Sequence, residues 1–489
     1  MPALPFKPVL LWTDALVFVL LAAVIAFAWQ VRRREHLRQP WVKVSRSRLG
    51  MVSAVLLCVF VAIGLLDSLH FRPRLSADAA DGRANYAVET MSVFDLMVTG
   101  LRTRPETTYS APLATHLYAK ETVEGPDGRQ IRVYPRLKYG GAHLQDPERD
   151  WAPDVLRRAV AGVAAAALLW NLVLAGAIAW LAARRGQGFR ATWQTVWRGQ
   201  TDVPWREMLA TAGVLLLLFG PAAMLAAKYH LLGTDKVGQD VFYLALKSIR
   251  TGLVIGTLTT LVMLPLALLL GIMAGYFRGW IDDVIQYVYT TLNSIPGVLL
   301  IAAAVLMTQA YMDSRPGLFD TVQQRQDLRL LFLCLILGMT SWTGLCRLLR
   351  GEALKLREME YIQAAQAFGV ADLRIITRHI LPNVMHIVLI SVVMDFSGLV
   401  LAEAVLSYVG VGVDPTMISF GTMINAARLE MAREPMVWWS LAAAFVFMLM
   451  LVLSANLFAD AVRDAFDPRI GGRTGRLGFL ARFKTAGGA

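Results

Sequence analysis

The sequence predicts an all-α polytopic membrane protein, on two observations. Of 489 residues, 56% are hydrophobic and 17% charged, where a soluble domain carries about 25% charge. Mean hydropathy is +0.50, and nine segments meet or approach the ~20 apolar residues that cross a bilayer. These run approximately over 9–29, 50–69, 158–183, 208–227, 250–276, 283–309, 328–347, 384–409 and 436–460, with 50–69 the shortest uninterrupted run.

Charge then orients the spans. The formal net charge is +12, but the basic residues sit in loops beside apolar runs, as the positive-inside rule produces, so nucleic acid is not the expected partner. Arg32, Arg33, Arg34 and Arg38 follow the first run. Arg184, Arg185, Arg190, Arg198 and Arg206 follow the third. Arg463, Arg469, Arg473, Arg476, Arg482 and Lys484 follow the ninth. Nine spans with an external N-terminus and a cytoplasmic C-terminus satisfy all three clusters. The first run precedes its arginines and ends in no small-residue cleavage site, so it is expected to stay as an anchor.

That orientation leaves a segment of about 70–156 outside. It holds YAKETVEGPDGRQIRVYPRLKY, two partly alternating stretches around the turn-forming Asp127-Gly128, which predicts a β-hairpin in a small α+β cap. Arg157 and Arg158 at its membrane edge run against the charge rule. Cys58, Cys334 and Cys346 lie in or beside apolar runs without metal or disulfide spacing, and read as small core residues. The seven histidines form no HExxH or similar pair, so no metal is expected in this chain.

The polar insert Tyr361 to Asn383 separates two long apolar segments. Tyr361, Ala364, Ala365 and Phe368 recur at helical spacing and give one face of a short helix. Gly369 is suited to ending that helix in the left-handed conformation. A second helix of about 371–380 is expected, with Asp372 at its positive end and Arg378 and His379 at its negative end. Pro382, lacking an N–H, marks the turn into the next span.

From about residue 208 the chain resembles the permease subunits of dipeptide/oligopeptide ABC importers. The likeness rests on five segments in order: His230-Leu-Leu-Gly-Thr-Asp235-Lys-Val-Gly238-Gln-Asp240-Val, Gly275-Tyr-Phe-Arg-Gly-Trp280 with Asp282, the polar insert, Glu403-Ala-Val-Leu-Ser-Tyr-Val-Gly-Val-Gly412, and Arg463-Asp-Ala-Phe-Asp-Pro468. The insert resembles the importer signature Glu-Ala-Ala, three residues, Gly, nine residues, Ile, one residue, Leu-Pro. Gln363-Ala364-Ala365, Gly369 and Leu381-Pro382 hold those spacings, with Gln363 in place of the Glu and His379 in place of the Ile.

The resemblance implies a six-helix type I importer core over 207–465. An N-terminal extension, 1–206, would add three helices and the cap, and 466–489 would be a cytoplasmic tail. It further implies an ATPase-coupling loop at Tyr361, Gln363, Ala364, Ala365, Phe368, Gly369, Leu381 and Pro382. The implied partners are a second permease, two cytoplasmic ABC ATPases carrying ATP and Mg, an external solute-binding protein, and membrane lipid. No GxxxxGK[ST] occurs, so this chain is expected to be non-catalytic and to hold no cofactor. The extension would serve assembly or stability, or docking of the binding protein.

Asp395 and Glu403 lie in the eighth span, ~12 Å apart along it and ~80° around it. Both are candidates to line the translocation pathway. Asp395 could instead hydrogen-bond between helices, and Glu403 could be structural. The competing function is an ion-gradient-driven secondary transporter using these two acids, for which no inverted repeat is evident.

Overall fold

The computed structural model describes residues 6–74, 86–124, 130–315, 317, 319 and 321–466. The turn at Asp127-Gly128 and nearly all of the tail lie outside the described residues.

The chain begins with strand β1 (Phe6–Val9), helix α1 (Trp12–Arg33), the short α2 (Glu35–Arg46) and α3 (Arg48–Asp67). Strands β2 (His70–Pro73) and β3 (Met91–Ser92), helices α4 (Val93–Met97) and α5 (Thr99–Arg102), and strands β4 (Glu121–Glu124) and β5 (Gln130–Val133) form the cap. Then come α6 (Pro147–Arg185), α7 (Phe189–Trp197) and α8 (Trp205–Ala226). The remainder is α9 (Val241–Phe277), α10 (Trp280–Ser294), α11 (Gly297–Asp313), α12 (Val322–Ser341), α13 (Thr343–Arg357), α14 (Glu360–Ala367), α15 (Asp372–Ile375), a π-helical stretch (Ile376–Ile380), α16 (Leu381–Val409), α17 (Phe420–Glu430) and α18 (Trp439–Phe466).

Among the described residues, eight helices are long and apolar enough to cross a membrane. The predicted span 283–309 is not a straight ninth. It is the pair α10 and α11, bent by 88°. The cause is Pro296, which excludes Ile295 from the helical region and leaves it extended at φ −89°, ψ 131°. The pair nevertheless returns the chain to the end of the bundle where α9 begins. At the start of α12, Asp327 accepts the amide N–H of Thr13 at the start of α1, at the end of the bundle opposite to where α9 stops.

The cap is α+β, as expected, with one strand unforeseen. β1 lies before the first span and pairs antiparallel with β2, Phe6 opposite Pro73 and Val9 opposite His70. β2 pairs in turn with β3, and β4 pairs antiparallel with β5, Glu121 opposite Val133. Four residues of β1 abutting an apolar span carry no alternation that a sequence reading could separate from the span itself.

Helix α9 is the axis of the core. Asp240 caps it, accepting from the amides of Phe242 at 2.9 Å and Tyr243 at 3.2 Å. Its 37 residues reach about 55 Å, longer than the hydrocarbon layer. α12, α13, α16 and α18 pack around it, and so do α1 and α3 of the extension. α3 also lies along α18, while α6 pairs with α8. Cys334 and Cys346 are buried, as expected, but Cys58 is exposed: it lies on the outer face of α3, where a lipid-facing helix needs no small residue.

Candidate functional site

The polar insert is built on the turn after α9. Arg278 and Gly279 both take positive φ, 58° and 60°, and reverse the chain into α10. Asp282, one turn into α10, accepts a two-pronged hydrogen bond from Arg350 of α13 at 2.6 and 2.7 Å, a geometry that fixes both partners. Arg278 also pairs with Glu358 beyond α13. The end of α13, where the insert begins, is thereby tied to the α9–α10 turn.

Helix α14 follows with Ile362 fully buried in a cluster with Leu349, Ala353, Ile375 and Ile380. Gln366 on the same side donates to the Tyr276 hydroxyl at 3.2 Å. That hydroxyl donates to Asp372 at 2.6 Å, so one tyrosine at the end of α9 holds both arms of the insert. Gly369 has φ +75°, as predicted, which a side chain would strain. Tyr361, Gln363, Ala364 and Phe368 are exposed and Ala365 half-buried. Phe368 is 87% exposed, and Met359 and Leu373 are exposed beside this face. Gln363 donates to the Glu358 carbonyl at 3.3 Å. His379 stands beside the Tyr361 ring, 6.1 Å between centroids, and Asn383 donates to the Tyr361 hydroxyl at 3.2 Å.

Pro382 does not mark a turn. α15, the π-helical stretch and α16 are continuous from Asp372 to Val409, and Leu381 and Pro382 lie within that helix. The widened π turns relieve the clash that a proline ring makes with the preceding turn of an α-helix, so the rod passes through. The second arm is therefore the beginning of the span itself rather than a separate helix.

Glu403 is 1% exposed and accepts from Ser407 at 2.7 Å and from Ser419 at 2.9 Å. Ser419 caps α17, so Glu403 joins α16 to α17. Asp395 is half-buried and has no hydrogen-bond or ion-pair partner among the described residues. The two acids form no common site: one is consumed by the packing, the other, on the side of α16, has no partner among the described residues.

At the opposite end the cap is fixed to the loop between α8 and α9. Glu106 of the cap accepts the amides of Lys138 and Tyr139 at 2.8 Å and of Gly140 at 3.0 Å. His230 bridges Glu106 at 3.3 Å and Asp240 at 2.8 Å. Burial alone would lower the histidine, but its bonds to Asp240 and Glu106 outweigh that and raise it to about 9. Burial would raise Glu106, and the bonds from His230 and the amides hold it at about 2. Gly238, at φ +73°, lies so close to the cap that an added Cβ would fall 1.9 Å from the Glu106 carbonyl oxygen. Trp439 of α18 completes the seam, donating to the Thr234 carbonyl at 3.0 Å.

Sequence reasoning missed Tyr276, Arg350 and Ile362. The partner of Tyr276, Asp372, is distant in sequence, and Ile362 lies on the buried side of α14, away from the face formed by Tyr361, Ala364 and Phe368.

The family described as "Binding-protein-dependent transport system inner membrane component" matches residues 267–472. The oligopeptide transport system permease protein OppC of Mycobacterium tuberculosis is 33% identical over 239 residues, 49% of this chain and 76% of that protein. The glutathione transport system permease protein GsiD of Pectobacterium atrosepticum is 30% identical over 310 residues, 58% of this chain and 94% of that protein. The dipeptide transport system permease protein DppC of Bacillus subtilis is 27% identical over 241 residues, 49% and 69% of the two chains. Among solved structures, the MetNI methionine ABC transporter in inward-facing form aligns with 46% of this chain and 97% of its own at 15% identity and a TM-score of 0.36, too loose a match to argue from.

Proposed function

This chain belongs to the family of inner-membrane permeases of binding-protein-dependent ABC importers, and from that premise we propose that Tyr361 to Pro382 is the lever through which separate ATPases drive it. It is a multi-pass inner-membrane permease subunit of a peptide-type importer. The ion-gradient alternative has no support: its two carboxylates do not meet, and Glu403 is already satisfied by two serines.

The observation that carries the reading is the division of labour on α14. Its inner side is anchored by Ile362 and Gln366, while Tyr361, Ala364 and Phe368 present an apolar face outward. Exposed large apolar groups at a polar end of a membrane protein suit a protein partner. Because Ile362 packs on Ile375 and Ile380, and Tyr276 ties Gln366 to Asp372, displacement of that face would be delivered across the Gly369 turn to α15, which runs through the π turns into the span. ATP and Mg would act on the partner ATPases. A second permease would complete the pathway, and a solute-binding protein would deliver peptides or similar small solutes on the cap side.

In this orientation the N-terminus and the cap are external, and the insert and C-terminus cytoplasmic. The layout remains an extension over 1–206, a core over 207–465 and a tail over 466–489. Asp395, without a partner among the described residues and half-exposed on a membrane helix, is suited to a polar pathway shared with the second permease. Glu403 would serve that pathway only by holding α17 in place.

The test uses the complete transporter in vesicles. Ala365→Glu should leave the chain inserted and folded but abolish ATP-driven uptake, and Gly369→Pro should do the same. Normal uptake by both variants would remove the insert from the coupling path.

A further inference from the structure

Between the extension and the core, at the cap end, lies a cavity of about 630 Å³, within the range of small-molecule sites. Its walls come from two sources. Asp67, Glu89, Thr90, Asp95, Arg102 and Thr103 belong to the extension. Tyr243, Lys247 and Arg250 of α9, with Gln323, Gln326 and Asp327, belong to the core. The lining is polar, unlike the neighbouring groove between α1, α3 and α9, whose walls are almost wholly aliphatic.

Most of the charges in this cavity are paired, but carboxylates outnumber bases on its walls, and Asp327 is held by Thr13 rather than by a base. Lys247 lies 2.7 Å from Asp95 and 3.4 Å from Asp67. Arg250 lies 2.6 Å from Asp14, and Arg102 lies 2.6 Å from Glu89. A chamber lined mainly by paired charges, hydroxyls and amides, with carboxylates outnumbering bases, can solvate a polar, non-anionic molecule without gripping it, which is what passage requires. Gln323 has no hydrogen-bond partner among the described residues, and Gln326 is bound only to Thr416.

We propose that this cavity is a vestibule on the solute path, shared between extension and core, which admits hydrophilic, neutral or cationic solutes bearing peptide-like donors and acceptors. The extension is then half of a passage as well as a brace. The proposal rests on the import reading and adds to it a place and a chemistry.

Cysteine accessibility in the complete reconstituted transporter tests it. Cys58 is replaced by Ser, because it is exposed, while Cys334 and Cys346 are buried and stay. Thr103→Cys then probes the extension wall and Gln323→Cys the core wall. A membrane-impermeant, cationic methanethiosulfonate is added from the cap side, and each variant is compared with itself before and after labelling. Both positions should label, labelling should slow in the presence of saturating solute-loaded binding protein, and uptake should fall at least tenfold while ATP hydrolysis continues. Failure of both positions to label, or labelling with unchanged uptake, would overturn the vestibule and leave the import reading intact. Absence of ATP-dependent uptake by the unlabelled parent complex would instead overturn the import reading.

Discussion

Arg250 of α9 and Asp14 of α1 stand 236 positions apart in sequence and 2.6 Å apart in space. Asp14 is 0% exposed and Arg250 7%. His70 closes on the other Asp14 oxygen at 2.8 Å, and Thr13 beside it hydrogen-bonds Asp327 through both its amide and its hydroxyl. One turn before Arg250, Lys247 takes its counter-charges from Asp67 and Asp95. The two bases on this face of α9 are therefore neutralised by carboxylates of the extension. A core without the extension would leave Lys247 without either carboxylate and Arg250 with only the more distant Asp327.

Breaking such a pair is more damaging than never having built it. Asp14→Leu leaves Arg250 buried without its closest counter-charge, and should destabilise the protein by about 3–5 kcal/mol. Asp14→Leu combined with Arg250→Met removes both charges and should recover at least half of the loss. The measurement is the thermal unfolding midpoint of the purified complex with its yield. An Asp14→Leu protein that melts with the parent would show that the extension is not held by this contact.

The junction at His230 carries a pH signature. Its rise from 6.5 to about 9 corresponds to roughly 3 kcal/mol favouring the folded, protonated form. That contribution is complete below pH 6.5 and is lost as pH climbs through 9. Glu106, lowered from 4.5 to about 2, acts in the opposite sense: its contribution is complete above pH 4.5 and lost as pH falls through 2. Hydrogen exchange at the amides of Lys138, Tyr139 and Gly140, corrected for intrinsic rates, should show constant protection from about pH 5 to 6.5 and a decline toward pH 9. His230→Gln should remove that decline. A decline of the same size in the variant would assign the pH response to another group.

Period and length made the spans legible, because a bilayer demands long apolar runs whatever they pack against. The break at Pro296 was written in the sequence as a proline inside a predicted span, yet prolines at 221 and 265 sit inside unbroken helices, so composition alone could not distinguish them. Gly369 was readable because a positive φ selects for glycine. The Asp14–Arg250 and Glu106–His230 pairs were not, since each joins segments more than a hundred residues apart and either partner alone is an ordinary charged residue near a span end. Pro382 misled for a related reason: its effect depends on whether the helix around it can widen, which is a property of the backbone and not of the residue.

Ile362 is the root of the lever. Its side chain is fully buried against Ala353, Ile375 and Ile380, and truncation to Ala should cost about 2–5 kcal/mol of local docking. With α14 loosened, the ATPases would move a helix that no longer moves its span. Ile362→Ala should retain at least half of parental ATP hydrolysis while uptake falls tenfold or more, whereas Thr377→Ala, on the exposed side of the second arm, should change neither. Equal loss of hydrolysis and uptake would place Ile362 in assembly of the complex rather than in transmission.

Asp395 and Glu403 separate cleanly by experiment because only one of them is used by the fold. Glu403→Ala removes the acceptor of two buried serine hydroxyls, one of which caps α17, and should lower stability by about 1–3 kcal/mol. Uptake should fall with it. Glu403→Gln keeps an acceptor of the same shape and should restore most of that loss. Asp395→Asn deletes a charge with no partner among the described residues, so stability should change by less than about 0.5 kcal/mol. A change in the solute concentration for half-maximal uptake would then report on the pathway alone. Should Asp395→Asn melt early instead, the carboxylate is bonded across the interface to the second permease, and it does not line the path.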